Sequence, residues 1–315
     1  MNVLARIELG RAPVTAAAWQ THRAAAQAPP PNTDISVLLH LSDTHFGSED
    51  AAALEALVDL ALRERPQALV ATGDITQHAR PEEFAAAARF FARLAARHQV
   101  VVPGNHDLPL WDLPRRLVAP YSAFRQAFGE DLEPRLQSSE LWLAGLRTTR
   151  RWRHHEGTLS IAQVQQTAEW FASAPAHALR VVAMHHPVAA AVAERDAADG
   201  TDVLRNAAFA VETWARAGVH LVLSGHTHQP CFLPLQPGPA GAGAGLPAAS
   251  MWALQAGTAV SRHLRGHKAH SVNLLRRVGA GGWRVEQWTH AAEARKFVMS
   301  DWLSVPAATV VTSAA

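Results

Sequence analysis

Short apolar runs alternate from Ile35 onward with segments in which apolar residues recur at helical spacing. The short runs predict strands at Ile35–Leu41, Gln67–Thr72, His98–Val102, Leu141–Leu146, Arg180–Met184 and His220–Leu223. The helical spacing predicts helices at Ala51–Arg63, Pro81–Arg97, Leu113–Phe128, from the capping residue Ser160 to Ala172, and at Val203–Ala217. Strands that alternate with helices in this way indicate an α/β layered domain.

The pattern changes after Gly225, because Met251–Gln255, Ser271–Arg276 and Trp283–Trp288 are predicted strands without long helices between them. A Gly- and Ala-rich stretch at 236–250 predicts a flexible loop by its composition. We predict a single domain at 34–300, a flexible N-terminal extension at 1–33 and a C-terminal tail at 301–315. A cleaved targeting peptide is the alternative for the first segment.

Composition narrows the class of protein. The chain has 315 residues of which 48% are hydrophobic, which is ample for a buried core. Lys and Arg number 29 against 27 Asp and Glu, so no strong attraction to nucleic acid or anionic membranes is expected. Cys231 is the only cysteine, which excludes an internal disulfide and fits a reducing, cytoplasmic compartment. No apolar run is long enough to predict a membrane span.

Five short polar motifs follow the predicted strands in a fixed order. They are Asp43-Thr44-His45, Gly73-Asp74, Gly104-Asn105-His106-Asp107, His185-His186-Pro187 and Gly225-His226-Thr227-His228. Each motif alone is a weak signal, since such residues also serve as turn and cap residues or as surface polar groups. Their order, and their common position after a strand, indicate a metal site.

The residue types in these motifs suit a pair of cations. A dinuclear site that splits phosphate esters needs two ions about 3.5 to 4 Å apart and a bridging anion. Asp43 and His45 can point to one rim, while Asp74 follows a strand and a glycine and can bridge two ions. Asn105 offers a neutral carbonyl ligand, and His106 beside it can point toward substrate. Imidazole ligands favour manganese, iron, zinc or cobalt over magnesium or calcium.

The ordered motifs resemble those of the calcineurin-like metallophosphoesterase superfamily and, within it, the bacterial class III cyclic nucleotide phosphodiesterases, from Ile35 to Trp288. The resemblance implies an α/β four-layer αββα sandwich with two mixed β-sheets. It also implies that Asp74 bridges two ions. The other ligands implied are Asp43, His45 and His228 for one ion, and Asn105, His185 and His226 for the other.

The resemblance implies further roles around the ions. His106 would stabilise the transition state or protonate the leaving oxygen, and Asp107 would orient His106 or a ligand through a hydrogen bond. His185 matches the family ligand better than its neighbour His186. Apart from the resemblance, Arg147, Arg262 and Thr258 are candidate substrate-binding residues. Arg147 begins a basic segment at 147–155 that could bind phosphate, with a solvated loop as the alternative, and Arg262 begins a second basic stretch after Thr258.

We therefore expect a phosphodiesterase that acts on small molecules, such as cyclic nucleotides or related diesters, through attack of a hydroxide bridging two divalent or mixed-valence ions of Mn, Fe, Zn or Co. The expected partner is a small phosphoester, without a membrane or nucleic acid, and a homo-oligomer is left open. The alternatives are a nuclease of the same superfamily and a metal-bound scaffold without activity. Trp111 and Trp152 lie in loop-like surroundings, where base stacking is an alternative to a place in the core.

Overall fold

The computed structural model describes residues 34–153, 155–189, 203–237, 249–265, 268–279 and 282–305. The predicted extension at 1–33 and most of the Gly- and Ala-rich stretch lie outside these residues. None of the described helices has the length and apolar character needed to cross a bilayer.

Twelve strands form two sheets of six in the described chain. The strands of the first sheet are β1 (Val37–Leu41), β2 (Ala68–Thr72), β3 (His98–Val102), β10 (Ser271–Val278), β11 (Gly282–Ala291) and β12 (Lys296–Val305). The strands of the second sheet are β4 (Arg135–Gln137), β5 (Leu141–Leu146), β6 (Leu179–Met184), β7 (Leu221–Ser224), β8 (Cys231–Pro237) and β9 (Ala249–Gln255).

Both sheets are mixed. The order of the first is β12-β11-β10-β1-β2-β3, with β1, β2 and β3 parallel and β10 antiparallel to β1. The order of the second is β4-β5-β6-β7-β9-β8, with parallel pairs from β5 to β9 and antiparallel strands at both edges. The carboxyl ends of the parallel strands of each sheet therefore meet at one edge of that sheet.

The helices are α1 (Ala51–Glu64), α2 (Pro81–Arg93), α3 (Leu113–Val118), α4 (Ser122–Phe128), α5 (Ile161–Ala172) and α6 (Ala207–Arg216). Local sequence explains where several begin. Asp50 caps α1 by accepting hydrogen bonds from the backbone of Ala52 and Ala53, and Ser160 and Gln163 form a capping box on α5.

Three apolar clusters hold these elements in four layers. The central cluster joins the facing sides of the two sheets, for example Leu38 and Leu275 of the first sheet with Leu221 of the second. A second cluster packs α1, α2 and α4 on the outer face of the first sheet, and a third packs α5 and α6 on the outer face of the second. Because each sheet is covered on both faces, its central strands are apolar on both sides. The predicted αββα sandwich with two mixed sheets is confirmed.

Several predicted boundaries were wrong. Strand β12 reaches Val305, so the chain from 301 to 305 is an edge strand and the domain continues past residue 300. The stretch 236–250 contains the end of β8 and the start of β9. The helix predicted at Leu113–Phe128 is two helices, since Pro120 cannot continue a helix. Helix α2 ends at Arg93 because Ala95 has a positive φ of 56°.

Candidate metal centre

The two sheets bring all seven predicted metal ligands to one rim. Four ligands follow strands β1, β2 and β3 of the first sheet, and three follow strands β6 and β7 of the second sheet. All seven are buried, and in chain order they are Asp43, His45, Asp74, Asn105, His185, His226 and His228. Strand pairing explains the convergence, because each of these residues follows the carboxyl end of a parallel strand.

One group of ligand atoms lies around His45. Its Nε2 is 3.3 Å from Nε2 of His228, 3.9 Å from Oδ1 of Asp43 and 3.8 Å from Oδ2 of Asp74. Oδ1 of Asp43 is 3.4 Å from Nε2 of His228. One atom from each of these four side chains lies within 4.8 Å of the others, which is the spacing of donors around a single cation.

A second group of ligand atoms lies around His185. Its Nε2 is 3.0 Å from Oδ1 of Asn105, 3.2 Å from Nδ1 of His226 and 3.4 Å from Oδ1 of Asp74. The two oxygens of Asp74 thus face different groups, Oδ1 toward His185 and Oδ2 toward His45. A carboxylate in this position can bridge two cations.

The backbone at this rim is held in an unusual conformation. Five of the seven candidate ligands have a left-handed backbone, namely Asp43 (φ 52°), His45 (φ 41°), Asp74 (φ 48°), His226 (φ 72°) and His228 (φ 62°). Positive φ is uncommon for residues other than glycine, and such strain concentrates at functional sites. The surrounding packing therefore fixes these side chains against a local preference of the chain.

Two motif glycines are required because the chain approaches a ligand closely. A Cβ on Gly104 would lie 2.2 Å from both the backbone N and Oδ1 of Asp74. A Cβ on Gly225 would lie 1.8 Å from Oγ of Ser42 and 2.3 Å from Oδ2 of Asp43. These glycines let neighbouring motifs pack directly on the carboxylates.

Hydrogen bonds outside the rim orient two of the imidazoles. Nδ1 of His185 donates to the carbonyl of Thr72 at 2.8 Å, and Nδ1 of His228 donates to the carbonyl of His263 at 3.1 Å. When these rings are neutral, each Nε2 carries a lone pair that points into its group of ligand atoms. A ring nitrogen fixed in this way is typical of histidines that bind metals.

The electrostatics also fit cations. Burial lowers the pKa of His185, but the charge and hydrogen bond of Asp74, together with the charge of Asp43 and the hydrogen bond to Thr72, more than offset burial and raise the pKa to about 9. Burial raises the pKa of Asp74, and the nearby His185 and His106 more than offset this and hold it well below its usual range. The position between these two side chains therefore strongly favours positive charge. Burial lowers the pKa of His45 to about 4, which keeps this ring neutral as a metal ligand must be. The nitrogen and oxygen donors fit borderline transition-metal ions.

His186 belongs to a cluster with His185 and His226, but its ring is bonded within the protein. Nδ1 lies 2.7 Å from Oγ1 of Thr148, and Nε2 donates to the carbonyl of His155 at 2.9 Å. Burial also lowers the pKa of His186 well below its usual value. These contacts make His186 a support for its neighbour and leave His185 as the candidate ligand.

His106 lies at the open side of the rim and is half-buried. Its ring centroid is 4.8 Å from that of His45, and its backbone N donates to Oδ1 of Asp74 at 2.8 Å. Nδ1 donates to the carbonyl of Gln77 at 3.1 Å, so the ring is oriented by the chain that follows Asp74. This placement suits a group that contacts substrate beside the ions.

Asp107 does not orient the His106 ring, and that part of the prediction was wrong. Its carboxylate accepts hydrogen bonds from the backbone N of Gly104, Ile75 and Thr76 and from the hydroxyl of Thr76, at 2.8 to 3.1 Å. Burial raises the pKa of Asp107 to about 6, and the charge of Asp74 adds to this effect. Asp107 is therefore a positioning residue that joins the Asp74 and Asn105 loops.

Thr258 and Arg147 lie outside the two groups of ligand atoms, and the substrate-binding roles predicted for them stay predictions. The hydroxyl of Thr258 is buried 2.7 Å from Nδ1 of His228, on the side of the ring away from the ligand atoms. Arg147 lies over the ring of Tyr121 at 5.4 Å and lines a separate cavity of about 560 Å³ with Glu133 and Arg150. None of the candidate ligands lines that cavity.

Arg262 is exposed next to the rim, where its backbone N donates to the carbonyl of Ser48, and its role stays a prediction. Its neighbour His263 lies closer to the ligands, with a ring centroid 6.4 Å from that of His45. Sequence reasoning did not identify His263 as a residue near the ligands, because nothing in its local pattern distinguishes it from His267 and His270. Its carbonyl, which orients His228, carries no sequence signal at all.

Comparison with known proteins identifies the family. The sequence model of the calcineurin-like phosphoesterases matches residues 36–230, which is more than half of the chain. The chain belongs to the calcineurin-like phosphoesterase family. The resemblance predicted from the five motifs is therefore confirmed, and all seven candidate ligands fall within the matched residues.

Curated relatives of this calcineurin-like phosphoesterase include two phosphodiesterases. The "Probable cyclic nucleotide phosphodiesterase" of Rhodococcus erythropolis is 29% identical over 219 residues, which cover 61% of this chain and 64% of that protein. The "Glycerophosphodiester phosphodiesterase GpdQ" of Enterobacter lignolyticus is 38% identical over 84 residues, which cover 22% of this chain and 29% of that protein. The chain thus spans less than two thirds of the length of these relatives.

The fold is also that of a solved plant enzyme. The structure of the purple acid phosphatase PPD1 from yellow lupin superposes with a TM-score of 0.62 over 87% of this chain and 54% of that chain. The sequence identity is only 9%, so this likeness concerns the fold alone.

Proposed function

We propose that this calcineurin-like phosphoesterase is a dinuclear metal-dependent phosphodiesterase that hydrolyses small phosphodiesters, such as cyclic nucleotides or related diesters. The observation that carries the proposal is the position of Asp74, whose two oxygens face two separate groups of nitrogen and oxygen donors. The curated relatives that bear phosphodiesterase names support the substrate class.

The proposed ligand sets are those given by the motifs. Asp43, His45 and His228 would hold one ion, Asn105, His185 and His226 would hold the other, and Asp74 would bridge them. When bound, two such ions supply Lewis acidity at the phosphoryl oxygens and activate water at neutral pH. The side chains of the protein fix where the phosphoryl group and the leaving oxygen lie.

His106 is the proposed acid for the leaving group. Its Nδ1 proton is engaged by the carbonyl of Gln77, which directs Nε2 to the other side of the ring. In the protonated ring, Nε2 donates its proton to the alkoxide as the bond from phosphorus to the leaving oxygen breaks. The ring stays in place because the backbone N of His106 is bonded to Asp74.

The decisive experiment compares two site variants with matched surface controls. Asp74→Ala should lose bound metal and almost all hydrolysis of bis-p-nitrophenyl phosphate, whereas Asp59→Ala, which changes an exposed carboxylate on α1, should lose neither. His106→Ala should keep both ions and lose about 10²- to 10⁴-fold in kcat. His177→Ala is its exposed control. Undiminished metal content and turnover in Asp74→Ala would refute the proposal.

The substrate is tested on one preparation reconstituted in turn with manganese, iron, zinc and cobalt. Turnover is compared for cyclic AMP, a 2′,3′-cyclic nucleotide, a glycerophosphodiester and a phosphomonoester. Preferential hydrolysis of the diesters is expected. A preparation that holds two ions but hydrolyses none of these substrates would contradict the proposed activity.

A further inference from the structure

A small pocket lies beside His106, and none of the candidate metal ligands lines it. It has a volume of about 160 Å³ and is lined by Gln77, His78, His106, Leu108, Leu110 and Trp111. Pockets that bind whole drug-sized ligands measure roughly 300 to 1,000 Å³. This pocket is therefore large enough for one part of a ligand, next to the place where the phosphoryl group would lie.

Trp111 forms an unusual wall of this pocket because its side chain is 86% exposed. Within the described chain its indole makes no ring–ring or cation–π contact. The other highly exposed tryptophan, Trp152, has its ring covered by Arg151 at 4.9 Å. Leu110 extends the exposed apolar wall, and the buried Leu108 adds to it. A flat ring placed against Trp111 would remove this apolar surface from water.

The other residues that line the pocket are polar, namely Gln77, His78 and His106. His78 is bonded to Glu83 and half-exposed, and it leaves an imidazole edge at the pocket. Oε1 of Gln77 is buried and has no hydrogen-bond partner among the described residues. Such an unpaired acceptor is costly, and rotation of the amide toward the pocket would bring it to a ligand N–H. One apolar face and a polar edge together match a heteroaromatic ring rather than an alkyl chain.

We propose that this pocket binds the heteroaromatic ring of the substrate, with the ring stacked on Trp111 and the adjoining phosphodiester beside His106. The inference rests on the proposed function, because it places the ring relative to the phosphoryl group at the same site. His106 connects the two parts, since it lines the pocket and its ring lies 4.8 Å from that of His45. Trp111 is thus a specificity-determining residue for nucleotide-like diesters over aliphatic ones.

Binding and turnover are measured separately for the manganese-loaded wild type and for Trp111→Ala, Trp111→Phe and Trp152→Ala. Equilibrium dialysis compares adenosine 5′-monophosphate with ribose 5-phosphate, which carries the same phosphate without the base. Trp111→Ala should lower the affinity for adenosine 5′-monophosphate on the order of tenfold and leave the affinity for ribose 5-phosphate unchanged. Trp111→Phe should retain most of the wild-type affinity for adenosine 5′-monophosphate. Trp152→Ala should change the affinity for neither ligand.

Turnover uses a 2′,3′-cyclic nucleotide and a glycerophosphodiester. Trp111→Ala should raise KM for the nucleotide on the order of tenfold and leave both constants for the aliphatic diester unchanged. An equal loss of affinity for both ligands in Trp111→Ala, or an equal rise in KM for both diesters, would overturn the proposal. A change in oligomeric state on gel filtration would also overturn it, because a second copy of the chain would then cover Trp111. If the base preference in binding is lost in Trp111→Ala while the wild type hydrolyses no diester, the pocket stands and the proposed function fails.

Discussion

Replacing Gly104 with alanine should disturb the metal centre through one defined contact. The backbone of Gly104 has φ −96° and ψ −178°, which alanine adopts without strain. The nearest obstacle to the new Cβ is Asp74, whose backbone N and Oδ1 both lie 2.2 Å away. The change therefore tests whether the exact position of this carboxylate matters.

The size of the effect follows from that distance. Real Cβ atoms essentially never lie closer than 3.0 Å to such a neighbour, so Asp74 or the Gly104 loop must move. A movement of about 1 Å at a reacting centre can cost about 10²-fold in rate. Forcing extra volume into a packed region also costs about 1 to 3 kcal/mol of stability. We expect weaker metal binding, turnover of bis-p-nitrophenyl phosphate lower by about two orders of magnitude, and a Tm lower by several degrees.

The assays are metal content by mass spectrometry, steady-state hydrolysis and thermal unfolding. Gly279→Ala is the matched control, because Gly279 has φ +60° and nothing within 4 Å of an added Cβ. Its cost is backbone strain alone, about 1 kcal/mol, and it should keep both ions and the full rate. A Gly104→Ala protein with two ions and wild-type turnover would refute the bridging role inferred for Asp74. Equal damage in Gly279→Ala would point to general destabilisation instead.

Three further predictions test the surroundings of the centre. Thr258→Val should lower metal affinity about 10- to 100-fold, measured by competition with a chelator, with KM unchanged, because the buried hydroxyl contacts the His228 ring. His186→Ala should keep both ions and lose about 1 to 3 kcal/mol of unfolding free energy in urea, since the hydroxyl of Thr148 stays buried without its partner. Burial lowers the pKa of His220 from 6.5 to about 4, and its Nδ1 accepts from the backbone N of Arg180, so the folded protein binds fewer protons than the unfolded chain between these values. The contribution of His220 to stability should therefore be complete above pH 6.5 and fall by about 3 kcal/mol as the pH drops to 4. Urea titrations of a His220→Asn variant should lack this part of the loss in stability.

Sequence pattern predicted the central strands and the ligand positions for a common reason. Strands such as β1 and β2 are buried on both faces, so their apolar runs are continuous, and polar residues begin where each strand ends. The edge strands β8 and β12 were missed because they lack that signal. Strand β8 contains Pro234 and Pro237, which argue against a central strand but are tolerated at an edge.

The roles that sequence could not predict depend on three-dimensional contacts between distant residues. The Asp107 carboxylate is adjacent to His106 in the chain, yet its hydrogen bonds go to the Asp74 loop and to Gly104. Arg147 belongs to a basic segment that suggests phosphate binding, but the fold turns it onto Tyr121. Local pattern identifies which residues are polar at a strand end and does not identify what each side chain contacts.

The two groups of candidate ligands draw on both sheets, with Asp43 after β1 and His226 after β7, 183 residues later in the chain. Ions bound there would act as a cross-link between the halves of the sandwich, in addition to the apolar contacts between the sheets. A ligand present at a thousand times its dissociation constant adds about 4 kcal/mol to the stability of the native state. Removing the ions with a chelator should therefore speed amide hydrogen exchange first at the ends of β1 and β7, while the outer helices keep their protection.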